Sequence, residues 1–112
     1  MTPEKKVKNE VVKALKAVGA YHFYPVASGY GASGVPDIVA CLAGRFIGIE
    51  CKAGKGKLTA LQEKNLATIM NTGGIAVAVN EHGIEHLKML LKISLPQAGI
   101  IYDLLRSNDE RA

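Results

Sequence analysis

The chain has 112 residues, 48% hydrophobic and 21% charged, which suits one globular domain and lies outside the composition range of disordered chains. No apolar run approaches the roughly 20 residues needed to cross a bilayer, and the opening Met-Thr-Pro-Glu-Lys-Lys lacks the apolar stretch of a secretory leader, so a cytoplasmic protein is expected. Cys41 and Cys51 are too few for a disulfide framework, and the net charge of +4 is compatible with a polyanionic partner without demanding one.

Residues 3–18 read as a helix, with Val7, Val11, Ala14, Leu15 and Val18 on one face. Thr2 and Pro3 are start signals and Gly19 a stop; the lysines at 5, 6, 8, 13 and 16 occupy the remaining arc. Residues 20–26 look extended, and 28–34 form a glycine-rich loop. Two nearly continuous apolar runs follow, 36–42 and 45–52, joined by Ala43-Gly44. They predict a β-hairpin whose strands are covered on both faces. After a Gly- and Lys-rich loop at 53–58, a second helix is expected over 59–72, ended by Gly73-Gly74, then a buried strand over 75–79. Asn80 is expected to cap a third helix running to about Ser94, with Ile84, Leu87, Leu90 and Leu91 inward. The pattern of 96–112 is ambiguous; Ile100, Ile101, Leu104 and Leu105 fit one more amphipathic helix. The order is αβββαβα, a compact α/β domain with a mixed central sheet.

A two-residue turn at Ala43-Gly44 sets Leu42 against Arg45 and, counting back, Asp37 against Glu50. Facing residues of an antiparallel pair have Cβ atoms about 5 Å apart. Alternation puts Asp37, Val39, Cys41, Phe46, Gly48, Glu50 and Lys52 on one face and Ile38, Ala40, Leu42, Ile47, Ile49 and Cys51 on the other, so the cysteines cannot pair. Two acids and an ammonium thus meet at one end of an apolar face. Close, desolvated carboxylates repel, and a divalent cation of the Mg²⁺ kind resolves the conflict, since it takes carboxylate oxygens, water and substrate phosphate. The alternative is a structural Lys52–Glu50 salt bridge, with Asp37 merely ending a loop.

Gly34-Val35-Pro36-Asp37, twelve intervening residues, then Glu50-Cys51-Lys52 resembles the PD-(D/E)XK nuclease motif. With Phe46 to Ala53, then Gly56-Lys57-Leu58-Thr59 and Gln62, the chain resembles the virus-type replication-repair nuclease (VRR-NUC) branch over about residues 4–80. The resemblance implies a restriction-endonuclease-like core at 1–95, with 96–112 as a C-terminal extension contributing to a dimer interface. It implies a phage-encoded or bacterial Mg²⁺- or Mn²⁺-dependent DNA endonuclease, with Asp37, Glu50 and the Cys51 backbone carbonyl as metal ligands and Lys52 as the catalytic lysine. Stand-alone members resemble Holliday-junction resolvases, which act as homodimers on branched DNA. The family also places a glutamate on the first helix; Glu4 is preferred and Glu10 is the second choice. Gln62 has two readings, closing a capping box with Thr59 or standing near the metal or the attacking water; one side chain can do both.

Ser28, Tyr30 and Ser33 in the glycine-rich loop, and Lys55 and Lys57 beyond the second strand of the hairpin, are candidates for DNA-backbone contacts, with ordinary loop polarity as the alternative. Gly29 to Gly34 fits G-x-G-x-x-G by letter, yet a strand rather than a helix follows, so no nucleotide cofactor is expected. His82-Gly83-Ile84-Glu85-His86 fits H-x-x-E-H, a zinc-peptidase pattern, but Gly83 weakens the helix it needs and few residues remain for a third ligand. The rival functions are a nickase or flap nuclease on the same site, and a non-catalytic DNA-binding module that keeps the fold.

Overall fold

The structure, a computed structural model, describes residues 1–26, 34–93 and 99–107. Helix α1 (Pro3–Ala17) begins where Thr2 Oγ1 accepts the Lys5 N–H at 3.2 Å. Gly19, at φ 74°, lets the chain leave the helix. The buried stripe is Val7, Val11, Ala14 and Leu15, as the spacing predicts.

Strands β1 (Tyr21–Phe23), β2 (Ile38–Leu42) and β3 (Arg45–Cys51) form an antiparallel meander. Ala43 and Gly44 turn with φ of 52° and 76°, the pair of positive angles that suits a two-residue hairpin. Leu42 then faces Arg45, and the register runs back to Ile38 against Ile49. Helix α2 (Ala60–Asn71) leads to β4 (Ile75–Val79), parallel to β3. Helix α3 (Ile84–Lys92) precedes β5 (Ile100–Leu104), parallel to β4. The result is an α/β fold with one mixed sheet in the order β1-β2-β3-β4-β5.

Alternation divides the sheet as predicted. Ile38, Ala40, Ile47, Ile49 and Cys51 join Ile75, Val77, Val79 and Leu104 in the core beneath α1 and α3. Ala76 and Ala78 pack with Leu66 of α2 on the opposite face. Helices α2 and α3 therefore cover opposite faces although both connections step the same way across the sheet. The two crossovers have opposite hands, one of them against the usual right-handed rule.

Two expectations fail. Residues 100–104 are a strand, not a helix: Ile100, Tyr102 and Leu104 alternate toward the α1–α3 core while Leu105 packs on the α2 side, so a pattern spaced for a helix also serves a strand beside the open edge of β4. Asn80 does not cap α3, whose N-cap is Gly83 and whose last residue is Lys92. The Asn80 side chain is 2% exposed; it accepts the His82 and Arg106 N–H groups at 3.0 and 3.2 Å and donates to the Arg106 carbonyl at 2.7 Å. Cross-linking thus outcompetes capping. Among the described residues no helix is long and apolar enough to cross a membrane.

Packing at two glycines makes a stability test. A Cβ on Gly83 would lie 2.1 Å from the Leu104 carbonyl oxygen, whereas one on Gly48 would meet the terminal Cδ1 of Ile69 at 2.5 Å. Backbone yields less readily than the end of a flexible side chain. Gly83→Ala is expected to cost about 3 kcal/mol and Gly48→Ala about 1 kcal/mol, measured by urea denaturation; equal losses would refute the packing order.

Candidate active site

The hairpin register is the reason Asp37 and Glu50 meet. Pairing between β2 and β3 ends at Ile38–Ile49, one step short of the acids. Asp37 Oδ2 instead accepts the Cys51 N–H at 2.8 Å, closing the open end of the hairpin with a side chain. Glu50 projects beside it from β3 and is only 3% exposed. Lys52 continues the strand, its N–H donating to the Val79 carbonyl at 2.9 Å. N–H and C=O groups of successive strand residues point to alternate sides. The Cys51 carbonyl therefore opens toward β2, on the side where Asp37 stands.

Gln62 does both jobs the sequence allows. Its Oε1 accepts the Thr59 N–H at 3.0 Å while Thr59 Oγ1 accepts the Gln62 N–H at 3.2 Å, a complete capping box at the start of α2. With Oε1 so committed, its Nε2 donates to Glu50 Oε2 at 3.1 Å. The amide is thereby fixed in orientation, and it fixes one oxygen of Glu50.

The electrostatics follow from burial. Desolvation, then the charge of Asp37 and the hydrogen bond between the two carboxyl groups, push the Glu50 pKa up to about 8; Lys52 opposes this and Glu4 adds to it. The Cys51 thiol is also pushed up, by burial first and then by Asp37 and Glu50, which leaves it an unreactive core group. Of the two candidate glutamates on α1, Glu4 is the one whose charge is felt at Glu50. Glu10 pairs with Lys13 at 3.3 Å.

The alternative reading, a structural Lys52–Glu50 ion pair, is not formed: among the described residues no carboxylate lies within 4.0 Å of the Lys52 ammonium. The cation that reaches the acids is Lys8, whose Nζ is 3.3 Å from Asp37 Oδ1. Burial works against its charge, but Asp37, by charge and hydrogen bond, together with Glu4 raises its pKa. Sequence inspection assigned Lys8 to the solvated arc of α1. Its place one turn after Glu4 and beside Val7 was the available signal.

Lys55 and Lys57 are exposed on the loop after β3. That loop is anchored where the Gly54 N–H donates to both carboxylate oxygens of Glu81, at 2.9 and 3.1 Å. Ser28, Tyr30 and Ser33 lie outside the described residues. In the H-x-x-E-H segment, α3 begins only at Ile84, so His82 is off the helix, and Glu85 pairs with Lys88 at 3.0 Å; the shared helix face required for zinc is not formed.

Among the described residues no three His, Cys, Asp or Glu side chains make a ready-made metal cage. The donors that do converge are hard oxygens: two carboxylates and a strand carbonyl. That set fits Mg²⁺ or Mn²⁺, ions that keep several waters and take one or two carboxylates. The chain matches no family model and no curated protein.

Because the Glu50 pKa lies near 8 in the fold against 4.5 in the open chain, its protonated form is the one the native state favours. That contribution is full below pH 4.5 and is lost as pH rises through about 8. In chelator, the thermal midpoint is expected to fall across this interval relative to Glu50→Gln, and Mg²⁺ or Mn²⁺ to restore it most at the alkaline end. A wild-type profile parallel to that of Glu50→Gln would show that Glu50 is not strained by its neighbours.

Proposed function

We propose that the chain is a divalent-metal-dependent deoxyribonuclease with a restriction-endonuclease-like core, of the PD-(D/E)XK class and its VRR-NUC branch, hydrolysing DNA phosphodiester bonds. The observation that supports this best is the buried Glu50 carboxylate beside Asp37, with Gln62 holding one of its oxygens. A structural role alone gives no reason to keep two acids together at such electrostatic cost. Asp37, Glu50 and the Cys51 carbonyl hold Mg²⁺ or Mn²⁺, with Glu4 completing the acidic wall. When bound, the ion supplies Lewis-acid polarisation of the phosphate and acidification of water.

The chain's own groups do the rest. Lys52, which has no carboxylate within 4.0 Å among the described residues, orients the attacking water and neutralises charge that builds on the phosphoryl oxygens. Water adds to phosphorus as the bond to the leaving oxygen breaks; its proton passes to solvent through the site, and the leaving oxygen is protonated in turn. Gln62 keeps Glu50 from turning away. Lys55 and Lys57 attract the backbone without reading sequence.

The substrate we favour is branched DNA, cut by a homodimer in the manner of a Holliday-junction resolvase, since a domain of 112 residues offers little surface to grip a junction alone. Within 96–105, the edge strand β5 with its exposed Ile101 is our candidate for that interface, since Leu104 is buried in the core. The free cysteines, Cys41 exposed and Cys51 buried, suit the reducing cytosol of a bacterium or a phage-infected cell.

Purified protein incubated with a labelled four-way junction and a matching linear duplex should cut with Mg²⁺ or Mn²⁺ and not with chelator. Asp37→Ala and Glu50→Ala should abolish cleavage yet retain DNA binding; continued cutting by either would refute the site. Preference for a flap or nick over the junction would favour a replication or repair nuclease of the same chemistry.

The two roles of Gln62 separate cleanly. Thr59→Ala should cost about 1 kcal/mol of stability and keep cleavage, whereas Gln62→Ala should lose similar stability and also roughly 10–100-fold in cleavage rate. Equal cleavage by the two variants would reduce Gln62 to a cap.

A further inference from the structure

Five lysines lie along α1 at positions 5, 6, 8, 13 and 16, and Lys8 alone among them reaches the acids. Its side chain is 35% exposed and that of Asp37 19%, so the pair is shielded from solvent more than a surface ion pair would be. Asp37 has one oxygen already taken: Oδ2 receives the Cys51 N–H. Lys8 stands at the other, Oδ1. Glu4, one helical turn earlier, would be the local partner for Lys8 on an isolated helix, yet no such pair within 4.0 Å exists among the described residues. The ammonium is drawn to Asp37 instead.

An oxygen that accepts an ammonium can take a divalent ion only on its remaining lone pair, which would set two cations within a few ångströms of each other, where they repel. The Lys8–Asp37 separation of 3.3 Å is longer than the roughly 2.7–2.9 Å of a strong charge-assisted hydrogen bond, so the contact is one the side chain can give up. Beside it runs a groove of about 410 Å³ lined by Thr2, Glu4, Lys5, Lys8, Asn9 and Tyr24. Lys5 adds a second positive charge there, so that with Lys8 two cations stand against the one negative charge of Glu4, and the hydroxyls of Thr2 and Tyr24 suit phosphate oxygens, while the Asn9 amide donates to Met1 Sδ at 3.3 Å.

We propose that Lys8 is a displaceable internal counter-ion: it neutralises Asp37 in the cation-free protein and, on divalent-ion uptake, moves into this groove to hold a nucleic-acid phosphate. The inference rests on Asp37 and Glu50 being metal ligands. It makes metal uptake and substrate grip one linked event, because the ion frees the very charge that the backbone needs. In this role Lys8 holds a backbone phosphate and is a binding residue, not a catalytic one.

Two variants shift the metal equilibrium in opposite directions. Lys8→Met keeps the packed stem and removes the competing charge, so half-saturation by Mn²⁺, read from the thermal midpoint and by calorimetry, should fall about tenfold, or ~1.4 kcal/mol. Lys8→Arg offers Asp37 a forked donor and should raise the Mn²⁺ requirement. Binding of a short labelled duplex is then measured by anisotropy across a salt series, in chelator and in Ca²⁺, which takes similar oxygen donors. In Ca²⁺ the salt slope of Lys8→Met should be smaller by about 0.9 than that of the wild type, the loss of one phosphate contact; in chelator the slopes should coincide. Wild-type protein that takes up Mn²⁺ while both variants bind it equally well, or equal salt slopes in Ca²⁺, would overturn the role of Lys8 alone. No Mn²⁺ uptake by the wild type would overturn the metal site and this inference with it.

Discussion

Two carboxylates held side by side, one of them almost wholly removed from water, set the terms for the rest of this molecule. Glu50 is buried by the same strand that builds the core, and Asp37 is pinned beside it by the Cys51 N–H. Each acid makes ionisation of the other harder. Glu4 adds to that cost, while three neighbours lower it: Lys8 at Asp37 Oδ1, the Gln62 amide at Glu50 Oε2, and the charge of Lys52 at longer range. None of these removes it, since the Glu50 pKa remains near 8. Two acids under that tension would gain stability from a cation placed between them.

The tension survives because its components belong to elements the chain needs for folding. Asp37 stands in for the missing last rung of the β2–β3 ladder, and Lys52 contributes its N–H to the β3–β4 ladder. Gln62 closes the helix that covers Gly48, Ala76 and Ala78, residues small enough to let α2 come close. At the far end of β4, Asn80 and Glu81 hold the loop after β3 at Gly54. Lys55 and Lys57 therefore extend from an anchored base.

The central part of this arrangement was legible in the sequence because period-2 patterning and a two-residue turn leave a hairpin only one register that buries its apolar residues. Leu42 against Arg45 determines every pair back to the acids. The capping box was equally readable, since Thr59 and Gln62 are local partners. What failed was non-local. Residues 100–104 had a helical spacing, and only the open parallel edge of β4 makes them a strand. Asn80 had the chemistry of a cap, but its amide meets Arg106 from 26 positions away. Lys8 looked like one more solvated lysine because its partner, Asp37, lies on a different element. Long-range partners leave no periodic trace.

Opposite-handed crossovers follow from the same demand for coverage. Strand β4 is apolar on both faces, with Ile75, Val77 and Val79 toward one side and Ala76 and Ala78 toward the other. The large residues require a thick layer and the small ones permit a close helix. With α1 already on the thick side, α3 packs beside it and α2 takes the other face, although the right-handed rule would place both crossovers together. That division leaves the ends of β3 and β4 between α1 on one face and the start of α2 on the other. Lys8 and Glu4 approach from the first and Gln62 from the second, so the acids at this end of the sheet are flanked by groups from both layers, and neither layer alone completes the site.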